Sequence, residues 1–411
     1  MKYEPVNSIK VGLNFSGTPI PVGTLALNQS RIYFEYEPAF LEGNLPISPF
    51  QLPLKAGLRE FERDLFEGLP GVFNDSLPDG WGRLLLDRML IGQGLVPQQL
   101  SPLDRLAYVG MNGMGALVYE PEINPDNATP TIIDLDNLAQ AAQAVLDGES
   151  KEVLSELISL NGSSAGARPK ALIAVNADKT HIIHGQQAIP DGYEPWLVKF
   201  PNSGDGADAG AIEYIYALMA KEAGLEMMPC HLFPAAKGAG YFATQRFDRV
   251  DGKRLHLHSL CGLLHDDFRH PSLDYETVML ATHKLTKDMR EVAKAYRMAV
   301  FNVLAHNRDD HSKNFAFLMD SNGEWKLSPV YDITFSSGPQ GYQSMLVMGE
   351  GRNPTVEHLL KLGETANFER AWMMEVITQT QAALAKWPQL ASQYGISKDR
   401  ISLVQSHLCV M

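Results

Sequence analysis

The chain has 411 residues, of which 45% are hydrophobic and 20% charged, and carries a formal net charge of −13 with an isoelectric point near 5.4. That length is too great for one simple core, so two or three domains are expected, with the composition of an ordinary globular protein. The acidic balance and the lack of any Lys/Arg cluster argue against direct nucleic-acid binding, which calls for a basic face.

The first residues, MKYEPVNSIK, hold no apolar stretch of the kind that makes a secretory signal. VGTLAL (22–27) and RIYFEY (31–36) alternate apolar and polar residues and are joined by Asn28-Gln29-Ser30, which predicts a hairpin. LPDGWGRLLLDRML opens a helix, with Asp79 as its cap and Gly92 and Gly94 ending it. SPLDRLAY (101–108) opens another, with Ser101 at the N-cap, Pro102 at N1 and Asp104 at N3 in a capping-box pattern. No chemistry is visible in this first unit, set at residues 1–125.

Residues 134–161 carry two short helical patterns, one with Leu138, Ala142 and Val145 on a face, the other with Val153, Leu157 and Leu160. The small-residue loop SSAGARPK follows. It lacks the Gly-Lys-Ser/Thr end of a Walker loop and leads into a strand, so an ordinary P-loop is rejected. Strand-like ALIAV, THIIH and WLVKF come next, and alternation sets Lys199 on the face opposite Trp196, Val198 and Phe200. The helix AIEYIYALMAKEAG then carries Glu213, and GYFATQRFDR is a further strand candidate. From about residue 275 the pattern is mostly helical. A β-rich segment with an isolated lysine (126–250), followed by a helix-rich segment (251–411), has the order of a two-lobed kinase.

The helical run REVAKAYRMAVFNVLAHN delivers the chain to NRDDHSKN, residues 307–314. Its apolar stretch MAVFNVLAH is far too short to span a bilayer. FAFL, a turn at Asp320-Ser321-Asn322-Gly323, WKLS and then Pro329-Val330-Tyr331-Asp332 follow. A tight hairpin here brings Asp309, Asn314 and Asp332 close together. Phosphoryl transfer uses such a set: a carboxylate for the attacking hydroxyl, an amide oxygen and a second carboxylate for Mg2+, and a strand lysine for the phosphates. Asp309 stands five positions before Asn314, the kinase spacing, whereas Asp310 does not. Tyr331-Asp332-Ile333 takes the place of the kinase Asp-Phe-Gly.

Plainer readings stand beside this one. The cluster could be a structural polar turn, Lys199 a snorkelling strand lysine, His311 an orienting residue and Asp310 a solvated or capping group. His258, LLHDDF (263–268) and Asp310 could imitate a His/Asp metal phosphohydrolase, although LHLHSL reads as extended and Asp310 as a loop residue. The cysteines Cys230, Cys261 and Cys409 form no CxxC pair, which argues against disulfides and thiolate zinc and fits a reducing cytoplasm.

The blocks SLPDGWGR (76–83), LDRLAYVGMNGMGAL (103–117), SSAGARPKALI (163–173), WLVKFP (196–201), QRFDR (245–249), NRDDHSKNFAF (307–317) and PVYDI (329–333) together resemble the HipA-like serine/threonine kinases, toxins of bacterial type II toxin–antitoxin modules. The resemblance implies an α+β, two-lobed protein-kinase-like fold, with a β-containing N-lobe, an α-helical C-lobe and an extra N-terminal subdomain. It implies ATP and Mg2+ as cofactors, Asp309 as catalytic base, Asn314 and Asp332 as metal ligands, and Lys199 as phosphate-binding lysine. Gln245, Phe247 and His311 fall at nucleotide-binding positions; Gln245 departs from the family's usual Glu. Ser163, with Ser164 the second candidate, matches a self-phosphorylated serine. HSLCGLLHDDF departs from the family's His-Gln-Glu-Asp stretch, so no site residue is assigned there. The implied partners are a protein substrate of the translation machinery, such as an aminoacyl-tRNA synthetase, and a helix-turn-helix antitoxin that would supply the DNA contact. A metal-dependent phosphohydrolase and a catalytically inactive nucleotide-binding scaffold are the alternatives.

Overall fold

Gln29 and Ser30 both take positive φ, 47° and 65°, while Asn28 pairs with Arg31, so the chain reverses in two residues. This is the tight turn whose twist matches that of the strands it joins. The computed structural model, which describes residues 4–123, 132–148, 154–161, 166–185, 189–202, 204 and 206–409, extends that hairpin into an antiparallel sheet of five strands. In spatial order they are Arg59–Glu60, Arg31–Tyr36, Ile20–Asn28, Ser8–Leu13 and Leu117–Glu120. Alternation buries Ile32, Phe34 and Tyr36 on one face, where Phe34 meets Phe73 at 5.0 Å between ring centroids. The expected capping box at Ser101 and Asp104 is present at the start of the helix Pro102–Val109.

A second five-stranded antiparallel sheet has the order Ile182–His184, Lys170–Asn176, Tyr193–Lys199, Tyr241–Gln245 and Cys230–Phe233. Ala171, Ile173, Val175, Trp196 and Val198 form a core with Leu138, Ala142, Val145, Leu157 and Leu160 of the helices Leu135–Leu146 and Leu154–Asn161. The helix Ala209–Glu222 also packs on this sheet, against Tyr241–Gln245 and Cys230–Phe233. Its Tyr216 hydroxyl donates to Ala305 O at 2.7 Å, and the Tyr216 ring lies 5.9 Å from that of Trp387. The sheet-bearing lobe is thereby fastened to the helical one.

The helical lobe comprises Tyr275–Thr286, Met289–Leu304, Val356–Thr365, Arg370–Leu384, Trp387–Gln393 and Lys398–Gln405. One small sheet interrupts it: Ala316–Met319 pairs with both Trp325–Leu327 and His256–Ser259, as the hairpin reading requires. This is the α+β, two-lobed organisation with an added N-terminal subdomain that the sequence led us to expect. Among the described residues no helix is long and apolar enough to cross a membrane.

Polar bonds join the N-terminal subdomain to the helical lobe. His258 is fully buried, with Nδ1 2.7 Å from Asp75 Oδ2 and Nε2 2.9 Å from Ser48 Oγ. Asp75 also accepts from the Ser259 backbone N–H at 2.7 Å and the Ser259 hydroxyl at 2.6 Å. Gly71 touches the Gly262 backbone so closely that a Cβ there would overlap it. Asp75→Ala removes the acceptor of three donors, that of the buried His258 among them, and should lower the unfolding free energy by about 2–4 kcal/mol, read from chemical denaturation.

Candidate active site

Pairing of Lys170–Asn176 with Tyr193–Lys199 sets Lys170 directly opposite Lys199. Like charges facing each other across a ladder oppose folding, so nearby carboxylates must hold the arrangement. Lys199 Nζ lies 2.5 Å from Glu213 Oε1 and 2.5 Å from Asp332 Oδ1. Glu213, 2% exposed, also accepts from Arg168 at 3.3 Å. Burial works against the Lys199 charge, but Asp332 and Glu213 outweigh it and raise its pKa. Lys170 is 4% exposed, and burial, with Lys199 adding to it, pushes its pKa down to about 8 against the pull of Asp332 and Asp79.

Asp79 stands at the N-cap of the helix Gly80–Gly92 but makes no capping bond. The expected cap is a clamp instead. Its Oδ1 accepts from the Gly166 N–H at 2.5 Å, its Oδ2 accepts from Lys313 Nζ, and the Trp81 N–H returns a bond to Gly166 O at 3.0 Å. Gly80 has φ +45°, and a Cβ there would sit 2.5 Å from Gly166 O, so only glycine lets the two segments meet. Burial opposes the Asp79 charge, but Lys313 and the Gly166 N–H outweigh it and hold its carboxyl below the usual range.

The helix Met289–Leu304 ends at Ala305, and His306 takes a left-handed φ of 55° that turns the chain out of it. Asp309 then projects into the cleft with its side chain 58% exposed. Asn314 closes a short 3-10 turn, Ser312–Asn314, and its Nδ2 donates to Asp309 O at 2.7 Å. That bond fixes the amide group. Asp332 has a left-handed φ of 54°, a conformation that costs a non-glycine residue roughly 1 kcal/mol and is concentrated at functional sites. Burial opposes its charge, but Lys199 and Lys170 outweigh it and hold the carboxyl well below the ordinary range. Asp309 behaves oppositely. Desolvation in the cleft and the Asp332 charge push its carboxyl up, against His311, Arg168 and Lys199.

His311 Nε2 is 3.9 Å from Asp309 Oδ1, too far for a hydrogen bond, and its ring lies 5.3 Å from Phe268. Phe247 faces Tyr331 at 5.4 Å, and the Tyr331 hydroxyl donates to Lys313 O at 2.6 Å. Gln245 is turned elsewhere: its backbone N–H donates to Pro229 O at 2.9 Å and its side-chain amide to Glu194 at 2.9 Å. Ser163 and Ser164 lie outside the described residues. An oxygen set of the Asp332 carboxylate and the Asn314 amide fits a hard divalent cation that keeps several waters. The residues that could imitate a phosphohydrolase do not converge. His258 is bound to Asp75 and Ser48, His265 Nε2 accepts from the Gly71 N–H at 2.8 Å, and Asp310 is buried against the 343–345 backbone. Among the described residues no group of three or more His, Cys, Asp or Glu could hold a metal.

Sequence reasoning missed Lys170, Asp79 and Lys313. Lys170 ends the loop rejected as a phosphate cradle, and spacing alone could not reveal its register against Lys199.

A family model described as the HipA-like C-terminal domain matches residues 162–387, and one described as the HipA N-terminal domain matches residues 16–120. A protein of Sinorhizobium fredii (strain NBRC 101917 / NGR234) named "Putative kinase Y4mE" is 27% identical over 356 residues, covering 80% of this chain and 78% of its own. Among solved structures, HipA of Shewanella oneidensis MR-1, determined with HipB and its operator DNA, superposes with a TM-score of 0.69 at 16% identity, covering 97% of this chain and 94% of that one. That likeness extends over both lobes and the N-terminal subdomain.

Lys199→Met leaves Glu213 and Asp332 without their shared cation. Removing one partner of a buried ion pair costs about 3–5 kcal/mol, so the variant should unfold at markedly lower denaturant, as chemical denaturation would show.

Proposed function

This chain belongs to the HipA-like family, and from that premise we propose that it is an ATP- and Mg2+-dependent protein kinase acting on serine or threonine. The observation that carries the reading is the pair Lys170 and Lys199, packed opposite each other and balanced by Asp332, with Asp309 and Asn314 alongside. Two cations held together at a cost to folding are explained by a polyanion that binds both.

In this reading Lys199 and Lys170 meet phosphate oxygens, Phe247 packs near the base, and His311 borders the nucleotide, while Gln245, bonded to Pro229 and Glu194, takes no part through its side chain. Asn314 and Asp332 hold Mg2+, which when bound offsets the charge of the phosphates. Asp309 orients the acceptor hydroxyl. As the hydroxyl oxygen bonds to the γ-phosphorus, the bond from that phosphorus to the β–γ bridging oxygen breaks, ADP leaves, and the hydroxyl proton passes to Asp309. The raised Asp309 pKa supports a base of more than ordinary carboxylate strength.

Ser163, or Ser164 beside it, is the proposed self-modified residue. A dianionic phosphate three residues before Gly166 would compete with the Asp79 clamp on that loop and silence the enzyme. The complex named for the Shewanella protein supports a DNA-binding antitoxin of HipB type as partner here, with the basic surface on the partner of a chain of charge −13. The acceptor implied by resemblance is a protein of the translation machinery.

The test is intact mass and peptide mapping after incubation with Mg·ATP, beside Asp309→Asn. We expect phosphate on Ser163 or Ser164 in the wild type and none in the variant. Unmodified starting protein that binds ATP and gains no phosphate would replace the kinase with a nucleotide-binding scaffold.

A further inference from the structure

Asp309 faces the cleft, but the residues on either side of it are turned to a different task. The Arg308 guanidinium donates to Gly341 O and, at 3.0 Å, to Arg352 O. Asp310, 1% exposed, accepts through Oδ1 from the backbone N–H groups of Ser344 at 2.9 Å and Met345 at 3.2 Å. Its Oδ2 accepts from the Tyr275 hydroxyl at 2.7 Å and Gln343 Nε2 at 3.4 Å. The backbone adds more. Arg308 N–H donates to Ser336 O at 3.3 Å, the Ser344 hydroxyl to Arg308 O at 3.0 Å, and the Ser336 N–H to His306 O at 3.1 Å. The segment after Asp332 is thus bolted at its start, middle and end to the loop that carries the proposed base.

The bolts rest on a rigid support. Tyr275 accepts from Asn302 Nδ2 at 2.9 Å, and Asn302 Oδ1 accepts from Asn307 Nδ2 at 3.0 Å, so the anchorage runs back into the helix Met289–Leu304. Gly338 fits only because it lacks a Cβ, which would lie 2.7 Å from Arg308 Cβ and overlap Tyr342 O. Segments in this position of other kinases are often ordered by a phosphate that an arginine binds. Here main-chain carbonyls already fill that part.

We infer that Arg308 and Asp310 are positioning residues that hold residues 336–352 in working order without phosphorylation of that segment, so that the switch of this chain lies elsewhere. The catalytic half of this inference rests on the kinase reading; the structural half does not. Both side chains are bonded to protein groups. They act through the segment bonded to the residues on either side of Asp309, and small displacements of a reacting group cost about a hundredfold in rate.

The experiment compares wild type, Arg308→Ala, Arg308→Lys and Asp310→Asn by amide hydrogen exchange, ATP affinity and single-turnover self-phosphorylation at saturating ATP. We expect Arg308→Ala and Asp310→Asn to quicken exchange within 336–352 while the rest of the chain keeps its protection. Self-phosphorylation should slow by roughly tenfold or more with ATP affinity within about twofold. Arg308→Lys, able to reach one carbonyl instead of two, should fall between. The active wild type should carry no phosphate within 336–352. Unchanged exchange in both Arg308→Ala and Asp310→Asn, or an active wild type that needs phosphate in that segment, overturns the inference. If Asp310→Asn does not fold, Arg308→Ala decides alone, since its side chain is only partly buried. A wild type that transfers no phosphate defeats the kinase reading, and the exchange data still decide the structural half.

Discussion

Two ammonium groups held opposite each other on neighbouring strands are the constraint around which this molecule is arranged. Lys170 is buried and the Lys199 side chain is only 10% exposed, so both ammonium groups depend on partners within the protein. Glu213 must then stand on the helix above the sheet, and Asp332 must reach in from the helical lobe. A contact between one lobe's lysines and the other lobe's carboxylate makes the mutual placement of the lobes an electrostatic matter as well as one of packing. The same charges separate the two cleft carboxylates. Asp332, against the lysines, is held ionised, whereas desolvation, with the Asp332 charge adding to it, pushes Asp309 toward protonation. Environments that drive two like groups apart are how one site holds both a metal-ligand candidate and a base candidate.

The N-terminal subdomain is part of this arrangement rather than an appendage. Asp79 joins the Gly166 loop to Lys313, and so ties together the strand that begins at Lys170 and the loop that carries Asp309. A second tie sits at the junction of the lobes. Asp248, with no exposed surface, binds Arg246 at 2.8 Å, Arg249 at 2.7 Å and the Gly115 N–H at 2.7 Å. Arg254 donates to the carbonyls of Met111, Gly113 and Gly115. The Arg249 and Arg254 guanidiniums are bound to main-chain oxygens of residues 111–115, so their charge fixes a turn of the N-terminal subdomain against the segment bearing Phe247. Movement of that subdomain would be felt at both ends of the cleft.

Residues 307–314 show how a short polar stretch divides its labour by direction. Alternate side chains leave the backbone on different sides, so Arg308 and Asp310 turn to the 341–352 segment while Asp309 faces the cleft. Asn307 points into the protein, to Asn302. Burying an unpartnered carboxylate would be costly, and Asp310 is tolerated because four donors converge on it. The density of polar residues in this stretch is the density of anchors that one exposed side chain needs.

The sequence by itself determined the local structure. Alternation and the Asn28-Gln29-Ser30 turn specified the first hairpin, Ser101 and Asp104 the start of a helix, and the five-residue step from Asp309 to Asn314 a pair that does meet. These are short-range effects, set by side-chain period, turn chemistry and spacing. It did not reveal Lys170, because facing Lys199 depends on strand register, nor Asp79, whose cap position is occupied while its carboxylate bonds to groups 87 and 234 residues away. It offered His258 as a metal-ligand candidate, yet Asp75 and Ser48, distant in the chain, make it a structural joint. Charge and hydrogen-bonding groups act on whatever the fold brings within a few ångströms, and that neighbourhood was decided only by the tertiary structure.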